Sequence, residues 1–87
     1  MNTFKLIVST PNGNAFCGDV SDLSLRGTEG DLAVMAGHIP FATAVKEGEC
    51  SITFEDETVK KARTDTGILT VSKDETVLLT GSFEFEE

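Results

Sequence analysis

His38, Cys17 and Cys50 are the side chains of this 87-residue chain that could support nucleophilic or metal chemistry. A thiol–imidazole catalyst needs a partly exposed, low-pKa thiolate beside its base. Cys50 alternates with Ile52 and Phe54, which reads as a small buried hydrophobe, and Cys17 follows Phe16 without a nucleophile-elbow pattern. Zinc sites draw on close ligand pairs such as C-x-x-C or H-x-x-x-H, and the sequence contains none. Gly27-x-x-Gly30 has the outline of a phosphate cradle. No lysine follows in P-loop register, no helical pattern follows, and Glu29 and Asp31 would repel an anion. Paired carboxylates for glycosidase-type chemistry would need a cleft as well as a core, and a chain this short has little room for both. Neither a catalytic residue, a metal site nor a cofactor is expected, and interaction remains as the work of the chain.

The composition points the same way. Asp and Glu outnumber Lys and Arg by 15 to 7, a formal net charge of −8. That balance disfavours nucleic-acid phosphates and anionic lipid surfaces, so neither nucleic acid nor direct lipid insertion is expected. The apolar start, Phe4 to Val8, is too short for a secretory signal or a membrane span. Two cysteines are too few for a disulfide framework, and a cytoplasmic setting with reduced thiols follows.

The elements that must position any functional residue are strands. Phe4, Leu6 and Val8 alternate, and Pro11-Asn12-Gly13-Asn14 supplies hairpin chemistry. The uneven spacing of Val20 and Leu23 suggests a bulge or break there. Glycines, Pro40 and His38 frame the short apolar segment Leu32–Met35 as two shaped turns. Further strands are expected at 41–45, 50–54, 58–64, 68–71 and 76–80, separated by turns at 46–48, 55–57, 65–67, 73–75 and Gly81. No segment keeps a 3.6-residue period long enough for a helix, and turn signals recur every eight to twelve residues. One all-β domain spanning residues 1–87, an antiparallel sandwich or barrel, is the reading.

The glycine-rich run resembles the signature of the ATP synthase epsilon subunit, called delta in mitochondria. Gly27, Glu29, Gly30, Val34, Met35, Gly37, His38, Pro40, Thr43, Val45, Lys46 and Gly48 stand in the family's register. The opening strand, Phe16-x-Gly18, Thr66 to Val71 and Val77-x-Leu79 extend the resemblance over nearly the whole chain. It implies a flattened antiparallel β-sandwich of about ten short strands. It also implies a non-catalytic rotor part that couples proton translocation to ATP synthesis by linking the gamma subunit to the c-ring. Such a part would sit peripherally at the cytoplasmic face of the cell membrane within the synthase complex. By position, Glu29, Gly30 and Asp31 would face the polar loops of the c-ring, whose basic residues suit acids. Ser9, His38 and Thr43 match positions on or near the gamma-docking face. For His38 the alternative is an imidazole bracing the Gly37–Pro40 turn.

Three departures from the family pattern stand out. Ala36 replaces a proline before Gly37, and Thr66 replaces one of two adjacent glycines, so its backbone should avoid positive φ. Members of the family continue into a regulatory two-helix C-terminal hairpin, and residues 82–87 are too short to form it. The expected fold is therefore the sandwich without that hairpin. A stand-alone β-sandwich interaction adaptor outside the synthase is the alternative reading.

Overall fold

Turn chemistry and period-two alternation cut the described residues into ten strands. The computed structural model describes residues 3–27, 30–37, 40–73 and 75–86. Strands β1 (Phe4–Thr10) and β2 (Gly13–Val20) form a hairpin across residues 11–12, and β3 (Asp22–Gly27) and β4 (Gly30–Met35) form a second. Then follow β5 (Phe41–Val45), β6 (Gly48–Thr53), β7 (Val59–Thr64), β8 (Gly67–Val71), β9 (Glu75–Thr80) and β10 (Phe83–Phe85). The alternation read from sequence is the burial pattern observed: Leu6 and Val8, Leu23 and Leu25, and Cys50 and Ile52 all point into one core.

The hydrogen-bonded order is β10-β7-β6-β3-β5-β8-β9-β1-β2, with β4 added to the other edge of β3. Strand β3 makes the corner. Asp22–Ser24 pair with β6, whereas Gly27 pairs with Val45 of β5, so the sheet folds over and both halves share the core. One pairing departs from the antiparallel expectation: β1 lies parallel to β9, from Lys5 opposite Glu75 to Ser9 opposite Leu79. A hairpin forces its strands antiparallel. These two strands are joined by no hairpin, so nothing local dictates their direction.

The break expected between Val20 and Leu23 falls at Ser21, which separates β2 from β3. Its N–H donates to the Thr53 carbonyl at 2.8 Å, and its hydroxyl lies 3.1 Å from the same oxygen. A true bulge lies elsewhere. Val8 faces Phe16 and Ser9 faces Asn14, which leaves Ala15 as the extra residue of β2. Because β2 ends the strand order, that bulge twists a free edge away from foreign strands.

Buried polar groups are few and bonded. The Thr64 and Thr80 hydroxyls lie 3.1 Å apart, and Thr80 donates toward the Asp65 carbonyl at 3.0 Å, which ties the β7–β8 connection to the end of β9. Glu57, in the turn after β6, is the one non-glycine with positive φ among the described residues, so Thr66 avoids that region as expected. Asp56 in the same turn accepts the Thr58 N–H at 3.0 Å, and hydrogen bonding from Thr58 holds its carboxyl below the usual range.

Gly37 closes the turn after β4 with φ +85°, and a Cβ there would meet nothing within 4 Å. The cost of a side chain is thus purely conformational. Gly37→Val is expected to lower stability by about 1–2 kcal/mol, because a β-branched residue resists left-handed backbone. An unchanged urea midpoint would contradict this account of the turn.

Candidate functional site

The two cysteines lie on different strands and in different surroundings. Cys50 is buried on β6, and its thiol is pushed up to about 11, chiefly by burial and further by Glu49 and Glu86, so it is protonated and inert at neutral pH. Cys17 is exposed on β2. His38 lies outside the described residues. Gly27 and Gly30 face each other across the β3–β4 hairpin, which is a strand–turn–strand and not the strand–helix step of a phosphate loop. No three His, Cys, Asp or Glu groups converge among the described residues.

Two surfaces remain, and the register defines them. On the outer side of β5, β8, β9, β1 and β2, one row runs Ala42, Thr70, Val77, Ile7, Cys17. The adjacent row runs Ala44, Ile68, Leu79, Ser9, Asn14. No member of either row is charged, in a chain whose residues are 25% charged. Ile68 and Leu79 stand side by side at its centre, 54% and 51% exposed. The outer side of β4, β3, β6 and β7 contrasts with it. There Arg26 faces Asp31, Glu49 faces Arg63, and Lys61 Nζ lies 3.8 Å from Glu49 Oε1.

The second surface is one end of the sandwich. Gly30 and Asp31 are exposed at the start of β4. Beside them comes the β5–β6 connection, since Gly27 pairs with Val45 and Lys46 N–H donates to the Arg26 carbonyl at 2.9 Å. The β7–β8 connection follows, with Val45 opposite Gly67 and Gly48 opposite Thr64. Glu47 and Asp65 therefore share this end with Asp31. Glu29 lies outside the described residues.

The two described residues expected at a gamma-docking face do not share a face. Ser9 sits in the outer uncharged row. Thr43 alternates with the exposed Ala42 and Ala44 and stands opposite the fully buried Leu69, so it faces the inner side at the rim of the core. Sequence reasoning missed Ile68, Val77 and Leu79 as surface residues. Their signal was legible: β8 and β9 carry apolar residues at consecutive positions, the pattern of strands covered on both faces.

This is a small β-sandwich whose outer surface carries two uncharged rows, bordered by the charged row Lys5, Glu75 and Asp19, and an acid-bearing loop end. The chain belongs to the ATP synthase delta/epsilon chain beta-sandwich domain family, whose model matches residues 3–86. It is 38% identical over 85 residues to the sodium ion specific ATP synthase epsilon chain of Acetobacterium woodii, covering 98% of this chain and 64% of that one. An ATP synthase epsilon chain of Clostridium perfringens is 34% identical over 87 residues, 100% of this chain and 65% of its own length. The chain thus spans slightly under two thirds of these curated relatives. Its fold matches a chain of the Euglena gracilis mitochondrial ATP synthase with a TM-score of 0.89 at 16% identity, covering 95% of this chain and 53% of that one. A chain of the Tetrahymena thermophila central stalk and c-ring matches with a TM-score of 0.78 at 12% identity, covering 94% and 66%.

Proposed function

We propose that residues 1–87 act as one epsilon-type sandwich domain of an F-type ATP synthase rotor, a non-catalytic element that links gamma to the c-ring and so couples proton translocation to ATP synthesis. The two adjacent uncharged outer rows carrying Ile68 and Leu79 are the observation that carries this reading. A chain with a net charge of −8 that leaves two adjacent rows across five strands uncharged has a surface suited to burial against a partner. Membership of the delta/epsilon family makes gamma the partner of choice. Ser9 lies within that face, and family position assigns His38 to the same proposed gamma contact; Thr43, assigned there too by position, faces inward opposite Leu69 and would support the contact only from beneath the sheet. Glu29, Gly30 and Asp31 are the proposed c-ring contact, with Glu47 and Asp65 at the same end. The cytoplasmic face of the membrane, peripheral and within the complex, is the proposed location. Among the described residues no helix is long and apolar enough to cross a membrane.

Co-elution of the purified chain with its cognate gamma subunit tests the reading. A stoichiometric complex is expected. A folded chain that leaves gamma free, where a longer relative captures it, would overturn the docking assignment and favour a stand-alone adaptor. The two contacts should also differ in physics. Glu29→Lys with Asp31→Lys is expected to lower the melting temperature by no more than about 2–4 °C, because Asp31 is exposed and its reversal costs only the cross-strand pairing with Arg26. The same change should weaken attachment to c-ring-containing membranes, and raised salt should mimic it by screening exposed charges. Attachment indifferent to both changes would remove the acid loop from the c-ring contact.

A further inference from the structure

We propose that Arg26 is a positioning residue: it brackets Glu47 from both sides and so holds that carboxylate beside Asp31 at the acid-bearing end. It rests on the c-ring reading of that end and adds to it a residue that is not an acid. Arg26 is exposed near the end of β3, and its register neighbour on β4 is Asp31. A cation in a surface suited to basic partner loops opposes that contact electrostatically. Charge therefore does not account for an arginine at this place.

Two contacts tie Arg26 to the β5–β6 connection, next to the pairing of Gly27 with Val45. Before Glu47, the Lys46 N–H donates to the Arg26 carbonyl at 2.9 Å. After it, the arginine side chain lies over Gly48. A Cβ on Gly48 would stand 3.2 Å from Arg26 Cδ, 3.7 Å from Nε and 3.9 Å from Cγ. Glycine thus leaves the space that the arginine stem fills. Among the described residues the ion pair on this outer side joins Lys61 to Glu49, so the contact Arg26 makes is one of packing. Arginine commonly covers neighbouring surface with its stem while its head stays in water.

The grip falls on a short and exposed piece of chain. Lys46 and Glu47 alone link Val45 of β5 to Gly48 of β6, and both are exposed. Arg26 lines one open cleft with Asp31, and Glu47 lines another with Asp65. Arg26 is where the β3–β4 hairpin holds the connection that carries Glu47, so acids from separate connections are presented together. A carboxylate fixed before docking costs less ordering entropy when the partner arrives.

Arg26→Met and Arg26→Ala separate stem from charge, since both remove the cation and only alanine removes the stem. Hydrogen exchange at the Lys46 amide and attachment to c-ring-containing membranes are the two readouts. In Arg26→Ala the Lys46 amide is expected to exchange about tenfold faster, with the global urea midpoint little changed. Attachment should weaken several-fold, although the chain has become one charge more negative. Arg26→Met should keep the parental exchange rate and attach at least as tightly as the parent, because the stem remains. Arg26→Lys should restore both properties. Equal Lys46 exchange in the alanine and methionine variants overturns the bracket, as does tighter attachment in both. Failure of the c-ring reading has a different signature. Attachment would then ignore every one of these substitutions, while Lys46 exchange still separates alanine from methionine and upholds the bracket.

Discussion

Gly67→Ala is expected to cost about 3 kcal/mol or more and to leave much of this small domain unfolded at ambient temperature. The sequence marks Gly67 only as turn punctuation before β8. In the fold it is a close-approach site. A Cβ there would run into the carbonyl oxygen of Leu79, with the Leu79 carbonyl carbon and Thr80 Cα both at 3.0 Å. All three are backbone atoms of the paired strand β9, held by the β8–β9 register in which Gly67 faces Thr80, so no side-chain rotation relieves the contact. Either the two strands separate at this end or the Thr64–Thr80 hydroxyl bond beside it is lost, and both routes open the core. Urea denaturation of the variant beside the parent checks the claim. A midpoint within error of the parent would mean that the strands can shift apart at little cost. Gly37→Val supplies the contrast, because its cost is backbone strain alone and should be smaller.

Ile68→Asp combined with Leu79→Asp is expected to abolish gamma binding, a loss of at least about 3 kcal/mol, while far-ultraviolet circular dichroism stays unchanged. The two side chains are directly opposite on the outer face and half exposed already, so the free chain keeps its fold at a modest cost from facing carboxylates. In a complex the same carboxylates would be desolvated against apolar surface with no partner. Titration of gamma with the variant and the parent, monitored by calorimetry, measures the difference. Retained affinity would move the docking surface off this face. Thr43→Asp is a useful companion, because Thr43 points to the inner side, opposite Leu69, and its substitution should disturb the fold before it disturbs docking.

Much of the architecture was legible because it is local. Pro11-Asn12-Gly13 and the Gly27–Gly30 run each close a hairpin where their turn chemistry indicates, and Cys50 and Ile52 alternate as a strand with one buried face should. The strand ends at Thr53, however, and Phe54 packs only partly buried against the core. Bulge placement was less legible. Uneven spacing at Val20–Leu23 marks a change of strand at Ser21, while the actual bulge at Ala15 leaves no hydrophobic signature, since it falls among exposed residues of an edge strand. The candidate site divided in the same way. Gly30 and Asp31 are neighbours in sequence and remain neighbours in space. Ser9 and Thr43 come from different strands, and whether they share a face depends on pairings through β8 and β9 that neither local sequence contains.

Sequence by itself determined that this chain is all strand, where its turns fall, that its one core is lined by alternating apolar residues, and which family it resembles. These are properties of residue types and short spacings, set by side-chain period and by the backbone preferences of glycine and proline. Tertiary structure alone decided that β1 closes the sheet parallel to β9, that β3 is shared between two halves, and that Ile68 and Leu79 lie together outside rather than within. Those outcomes rest on register between strands distant in the chain. Because side chains alternate with a period of two, a one-residue shift of any of them would turn that strand's share of the uncharged rows inward.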